Sequence, residues 1–169
     1  MSEEMHYTAD LPYPPIAPER CHLPYARAML DNLGGNISEM SAVSLYFYNH
    51  IITEPCYEEV ARAFHKISIV EMRHMQIFGK LAFLLGIDPR LWTQGLHGRS
   101  YWTPGYNRYP REIKAVLLNS LKGEKEAIRK YRGQIACIQD ANLIENLNRI
   151  ILDEERHVEI LTALYEKYC

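Results

Sequence analysis

Two pairs of residues have the spacing of metal ligands on a helix. Glu71 precedes His74 by three residues, and Glu154 precedes His157 by the same distance. Three residues make almost one helical turn, so each Glu-x-x-His pair presents a carboxylate and an imidazole on one face. A single pair of this kind is common on protein surfaces, whereas two copies in one chain favour a shared metal site.

Two further glutamates extend the repeat. The stretches SEMSAVSLY (38–46) and GEKEAIRKY (123–131) each contain a Glu, an Ala three residues later and a Tyr seven residues later. The stretches VEMRHMQIF (70–78) and DEERHVEIL (153–161) match at Glu, Arg, His and Ile. The chain therefore consists of two related halves. The predicted metal ligands are Glu39, Glu71, His74, Glu124, Glu154 and His157.

These residues interrupt apolar helical stripes. Apolar side chains recur every three or four residues from 60 to 85 and from 143 to 168, with one Glu-x-x-His pair inside each stripe. Four carboxylates and two imidazoles would thus meet in one core. Ionised carboxylates there need compensation, which two divalent cations supply. The mixed oxygen and nitrogen ligand set suits iron, our first expectation, or manganese.

Three neighbours refine this site. Asp153, directly before the second pair, is placed to accept a hydrogen bond from His74, but its counterpart in the first half is Val70. His157 therefore needs a different partner. Glu126 lies two residues from the predicted ligand of the third helix and so points to the opposite, solvated face.

Four helices are predicted to position these groups, at residues 25–52, 56–86, 111–139 and 142–168. They are separated by Pro55, by the segment from Gly86 to Pro89, and by Asp140. A pair of glycines, Gly34 and Gly35, would let the first helix bend or approach a neighbour closely. Residues 1–24 are Pro-rich and are predicted to be an extension outside a bundle of residues 25–169.

A long connector joins the second and third helices. It is rich in Gly, Pro and aromatic residues. About 24 extended residues reach nearly 80 Å, whereas a helix of about 28 residues is only about 42 Å long. The connector can therefore cross the bundle, which predicts an all-α up-down four-helix bundle with one long crossover. Its aromatic side chains would form a homodimer surface or pack on their own bundle.

This pattern resembles the ferritin-like di-iron carboxylate superfamily, and it is most similar to the rubrerythrin and bacterioferritin branch. The similarity extends over residues 25–168 and includes all six predicted ligands. It implies a ferritin-like fold and a site that holds two metal ions, in which the hydroxyls of Tyr46 and Tyr131 support the ligands. The rubredoxin domain of rubrerythrins has no counterpart in this sequence, and Ala127 stands where rubrerythrins have a further carboxylate. Manganese catalases use Glu-x-x-His similarly but place their second His differently, and they match less well.

The resemblance implies an oxidoreductase that reduces peroxide or dioxygen, or that oxidises ferrous iron. The sequence does not indicate an electron donor. One alternative is a non-catalytic metal-binding, storage or assembly protein, and another is peroxide dismutation of the manganese-catalase kind. A third is a structural bundle in which the ionic residues only set the helix register.

Composition excludes several other classes. The chain has 19 basic and 21 acidic residues and a net charge of −2, which does not favour nucleic acid or an anionic membrane surface. No stretch has the apolar length of a membrane helix, and the N-terminus has no signal-peptide pattern, so a cytoplasmic location is expected. The four cysteines have no C-x-x-C spacing and are predicted to be free thiols.

Overall fold

The computed structural model describes residues 6–95 and 98–169. Helices form most of this part of the chain, with one short antiparallel hairpin in the connector. The elements are α1 (Leu23–Gly34), α2 (Glu39–Thr53), α3 (Glu58–Leu84), β1 (Trp92–Gly95), β2 (Gly98–Tyr101), a 3-10 helix (Pro104–Tyr106), α4 (Ile113–Ile135) and α5 (Ala141–Tyr168).

The first predicted helix is two helices, so the prediction of one element over residues 25–52 was wrong. Gly34 ends α1 against the connector, where an added Cβ would lie 2.9 Å from the Cα of Leu91. Ser38 then caps α2 by accepting a hydrogen bond from a main-chain N–H of the next turn. Lys130 of α4 bridges the break, since its Nζ donates to the main-chain carbonyls of Asp31 and Ile37.

The helices form two antiparallel hairpins joined by the long crossover. α2 packs on α3, α4 packs on α5, and α1 adds to the end of the bundle by packing on α3. The predicted all-α four-helix bundle is confirmed. The boundaries of α3, α4 and α5 differ from the prediction by at most four residues, because helix ends depend on local capping.

The core consists of two apolar clusters. One contains α1 together with the end of α3 and the start of α5, and the other contains α2 together with the start of α3 and the end of α5. The side chains of the predicted stripe of α3, which recur every three or four residues from Val60 to Leu85, are fully buried. Glu71 and His74 lie at the centre of this stripe and are buried with it. The ionisable residues therefore form a layer between the two clusters.

The connector packs on its own bundle. Trp102 Nε1 donates to Ser41 Oγ at 3.0 Å, and Asn107 Nδ2 donates to the Ser41 carbonyl at 3.0 Å. Tyr101 and Tyr109 stay exposed, so a homodimer surface at this connector remains a prediction. All four cysteines are free and exposed. Among the described residues, no helix combines the length and the apolar composition that crossing a membrane requires.

Candidate metal centre

The six predicted ligands converge from four helices into one buried cluster. Each of these residues is at most 3% exposed. Glu39 is the first residue of α2, Glu124 lies midway along α4, and each Glu-x-x-His pair lies near the middle of α3 or α5. The break before α2 contributes to this arrangement, because it places Glu39 in the first turn of a helix, where the helix dipole favours a negative charge.

The imidazole of His74 points one nitrogen into the cluster. Its Nδ1 lies 3.0 Å from Glu71 Oε2 and 3.2 Å from Glu154 Oε1. The Oε2 of Glu39 lies further away, at 3.7 Å. One half of the centre is thus a histidine, two near carboxylates and one more distant carboxylate.

The inner nitrogen of His157 has matching neighbours in the other half. Its Nδ1 lies 3.0 Å from Glu71 Oε1, 3.2 Å from Glu154 Oε2 and 3.8 Å from Glu124 Oε1. Glu71 and Glu154 therefore each direct one oxygen towards each histidine. With two metal ions bound, Glu71 and Glu154 would be placed to hold both ions, and Glu39 and Glu124 would each be placed to hold one.

The donor set fits a pair of metal ions. The candidate ligand atoms form two groups, and the atoms within each group all lie within 4.8 Å of one another. Both groups contain Glu71 and Glu154. One group also contains Glu39 and His74, and the other also contains Glu124 and His157. The Oε1 atoms of the two shared glutamates are buried without an aligned hydrogen bond, although each is 3.0–3.2 Å from an imidazole nitrogen. These atoms are open to a cation, and two divalent ions would neutralise the four carboxylates.

Tyr46 and Tyr131 each contact a carboxylate of the opposite half. Tyr46 donates from its hydroxyl to Glu124, and Tyr131 donates to Glu39. Both tyrosines are almost fully buried. Burial and the neighbouring carboxylates raise their pKa values well above 10.0, so the phenols keep their protons near neutral pH. The resemblance predicted that these two hydroxyls support the predicted ligands, and the structure shows each hydroxyl in contact with one of those glutamates.

The four carboxyl groups differ in proton affinity. Burial raises the pKa values of Glu39 and Glu124 well above the usual value, and the charges of Glu71 and Glu154 raise them further. Burial also opposes ionisation of Glu71 and Glu154, but the two histidines outweigh it and lower their pKa values. The shared carboxylates are therefore the more readily ionised ones, which suits a bridging role between two cations.

The outer nitrogens of the two histidines have different partners. His74 Nε2 lies 3.0 Å from Asp153 Oδ2, which confirms the predicted contact. His157 Nε2 donates to the main-chain carbonyl of Tyr7 at 3.1 Å. An N–H at Nε2 leaves the Nδ1 lone pair of each ring available for a metal ion.

Sequence reasoning missed the surroundings of Asp153. Tyr13 donates its hydroxyl to Asp153 Oδ2 at 2.5 Å, and Ala9 N donates to Oδ1 at 2.7 Å. The NH1 group of Arg149 lies 2.7 Å from the same Oδ1. Burial opposes ionisation of Asp153, but these donors and His74 outweigh it and hold the pKa at about 2. The only sequence signal was the four-residue spacing of Arg149 and Asp153 on one helix face.

A cavity of about 360 Å³ reaches the cluster from the side between α2 and α4. The four carboxylates, both tyrosines and the small side chains Ala42 and Ala127 line its inner part. Glu126 is only partly buried, and it lies 3.7 Å from Lys122 Nζ, whereas Glu124 faces the cluster. Glu124 therefore faces the cluster as predicted, whereas Glu126 also lines the cavity but is not among the grouped ligand residues.

Comparison with known families agrees with this geometry. The family model for the ferritin-like domain matches residues 38–168, which is most of the chain. The chain belongs to this family. No curated protein sequence is similar enough to count as a match.

Solved structures share the ferritin-like fold. KatB, a manganese catalase from Anabaena, has a TM-score of 0.83 at 18% identity over 96% of this chain and 80% of that one. Mycobacterium tuberculosis bacterioferritin BfrA has a TM-score of 0.72 at 22% identity over 88% of this chain and 87% of that one. A dodecameric thioferritin from Bacteroides fragilis has a TM-score of 0.69 at 16% identity over 88% of each chain. At these identities only the fold is shown, and it does not favour the bacterioferritin branch over manganese catalases.

Proposed function

We propose that this ferritin-like chain is a dinuclear metal oxidoreductase of the rubrerythrin-like type. Its substrate would be a small inorganic oxidant, peroxide or dioxygen, with ferrous iron as a further substrate if the chain acts as a ferroxidase. Iron is the proposed metal and manganese the second choice, since carboxylate and imidazole ligands suit both. The electron donor would be a separate molecule.

One observation carries the proposal. Glu71 and Glu154 each extend an oxygen to both histidines, so that the two halves share two carboxylates. A structural ion pair does not need this sharing, because one carboxylate per histidine would satisfy each charge. Two cations held about 4 Å apart do need carboxylates that are shared between them. Bound iron or manganese would supply the electrons for cleavage of an O–O bond.

The chain itself would control access and protons. The cavity between α2 and α4 leads to the carboxylate side, where Ala42 and Ala127 leave room for a molecule of two oxygen atoms. Tyr46 and Tyr131 hold phenolic protons on the terminal carboxylates at the same side. These tyrosines would keep Glu124 and Glu39 oriented and would retain a proton next to the bound oxidant.

Dismutation of hydrogen peroxide without an external reductant is the second candidate. The manganese catalase KatB shares the fold over 96% of this chain, so this activity is tested beside the first. Dismutation converts two peroxide molecules into dioxygen and two water molecules, whereas a peroxidase consumes two electrons per peroxide and releases no dioxygen.

The test is peroxide consumption by protein loaded anaerobically with iron or with manganese. Each form is mixed with hydrogen peroxide, with and without a chemical reductant, while an oxygen electrode records dioxygen. Consumption that needs the reductant and releases no dioxygen supports the peroxidase proposal, and dioxygen release without a reductant supports dismutation instead. A protein that binds two ions but consumes neither peroxide nor dioxygen, and does not oxidise ferrous iron, contradicts both and indicates storage.

A further inference from the structure

The N-terminal strap, residues 6–20, closes the imidazole side of the metal cluster. It is extended, and it lies against α5 along much of its length. Near its end, Asn142 Nδ2 donates to the Pro15 carbonyl, and Glu19 N donates to a carboxylate oxygen of Asp140. Near its start, Arg156 Nε donates to the His6 carbonyl. The segment was predicted to be a lead-in to the bundle, but these contacts fix it over the two histidines.

One group of the strap contacts His157 directly, and another contacts the carboxylate beside His74. The Tyr7 carbonyl accepts from His157, and the Tyr13 hydroxyl donates to Asp153, the partner of His74. Arg149 joins strap and cluster, because its Nε and NH2 groups donate to the carbonyls of Leu11 and Ala9 while NH1 lies against Asp153. Its guanidinium also lies 4.2 Å from the centre of the Tyr13 ring.

The internal repeat explains why the strap is needed. Asp153 of α5 supplies the acceptor for His74, and the matching position of α3 is Val70, which has no side-chain acceptor. His157 is fully buried, so an unpaired Nε2–H there would be costly and the ring would lose its fixed orientation. The Tyr7 carbonyl supplies the missing acceptor from outside the repeat.

We infer that the strap is part of the metal centre: it positions His157 through the Tyr7 carbonyl and His74 through Tyr13 and Asp153. Docking of the strap and binding of metal then stabilise one another, because coupling between two binding events is reciprocal. Tyr13 is a positioning residue in this arrangement. The inference rests on the metal-binding part of the proposed function and not on turnover.

The first test uses the unaltered chain. Hydrogen exchange of the Ala9 amide, which donates to Asp153, is measured without metal and with two equivalents of Co²⁺. Slower exchange at Ala9 in the cobalt form is expected. The Trp102 amide, which donates to the Leu91 carbonyl in the connector, serves as the control and should change less. An Ala9 amide whose exchange does not respond to cobalt overturns the inference.

The second test compares two tyrosines. Tyr13→Phe removes only the hydroxyl at Asp153, and Tyr25→Phe removes a hydroxyl that accepts from the Gln139 amide away from the cluster. In a Co²⁺ titration, Tyr13→Phe should weaken one of the two equivalents, by less than the roughly 10-fold usual for loss of a direct outer partner, because Asp153 keeps its contact with His74. Tyr25→Phe should bind both equivalents like the unaltered chain.

A third variant tests the contact between the strap and His157. Deletion of residues 1–7 removes the Tyr7 carbonyl but keeps the Ala9 amide and Tyr13, and it should weaken the other equivalent by roughly 10-fold or more, because Tyr7 contacts His157 directly. Combining the deletion with Tyr13→Phe should then weaken both. If all these variants bind both equivalents of cobalt like the unaltered chain, the inference about the strap is overturned, but the proposed function is not. An unaltered chain that binds no cobalt would overturn the proposed function as well.

Discussion

The α2–α3 hairpin and the α4–α5 hairpin contribute the same types of side chain to the cluster at matching distances, yet the outer nitrogens of their histidines have unequal partners. Each Nδ1 lies within 3.2 Å of both shared glutamates. The Nε2 of His74 faces Asp153, whereas the Nε2 of His157 faces the neutral carbonyl of Tyr7. The symmetry comes from the internal repeat, and the asymmetry comes from one residue difference and from a segment that is not repeated.

This difference has a chemical consequence. A histidine that donates to a carboxylate is a more basic ligand than one that donates to a neutral carbonyl. We therefore expect the ion at His74 to bind more tightly than the ion at His157. Removing the carboxylates that the two halves share should therefore have a larger effect than removing the residues that distinguish the halves.

The largest effect is expected from the shared carboxylates. Glu71→Gln keeps the shape of the side chain but removes the charge that both ions need, so binding of both ions should be lost. Glu155→Gln is the matched control, because Glu155 is more exposed and pairs with Arg132 at 2.5 Å. Metal analysis after gel filtration checks this. Retention of two ions by Glu71→Gln would contradict a bridging role.

A smaller loss is expected when a terminal carboxylate is removed. Glu124→Ala should lose the ion at His157, or both ions, together with the redox chemistry, because Glu124 faces the cluster. Glu126→Ala should keep both ions, since Glu126 pairs with Lys122 towards solvent. Metal analysis of the two variants side by side is the measurement. The reverse result would mean that α4 is rotated from the orientation described above.

Asp153 allows a direct test of the asymmetry. Asp153→Asn removes the charge behind His74 but keeps a polar group beside Arg149, so the fold should survive. We expect the affinity for one ion to fall by roughly 10-fold to 100-fold, while the other ion binds as before. Titration with Co²⁺ followed by its absorption spectrum measures both events. Equal weakening at both positions would show that the halves are equivalent.

The smallest effect concerns pH. Burial opposes protonation of the two imidazoles, but the carboxylates around each ring, Asp153 foremost at His74 and Glu71 foremost at His157, outweigh it and raise both pKa values well above 6.5. The metal-free folded state thus binds more protons than the unfolded state, so its free energy of unfolding should fall as pH rises above 6.5. Metal replaces these protons, so the loaded chain should become more stable as pH rises towards neutral and should lose metal below about pH 5 to 6.

Urea unfolding of both forms across neutral pH measures these opposite slopes. Parallel slopes would contradict the replacement of protons by metal. Equal thermal stability of the two forms at neutral pH would mean that metal does not hold the core together.

Much of this arrangement could be predicted from the sequence. Apolar residues recur at alternating spacings of three and four, which indicates the buried face of α3 and of α5. The same pattern predicts that Glu71 with His74 and Glu154 with His157 lie in one core. The long connector correctly indicated the crossover. The break between α1 and α2 was only partly foreseen, since Gly34 and Gly35 permit a bend but capping and the contact with Lys130 decide its extent.

The strap could not be predicted, for a physical reason. Its contacts use main-chain groups of residues such as Tyr7, Ala9 and Leu11, and a carbonyl is the same in every residue. An extended Pro-rich segment also has no periodicity that would indicate a buried face. Its position depends on Arg149 and Asp153, which lie more than a hundred residues away along the chain.

Metal stoichiometry and separation in the unaltered chain test the central claim most directly. The chain is loaded anaerobically, metal content is measured per chain, and X-ray absorption gives the metal–metal distance. Two ions per chain within about 4 Å of each other are predicted, because Glu71 and Glu154 would bridge them. One ion at saturation, or two ions in separate sites, would contradict it.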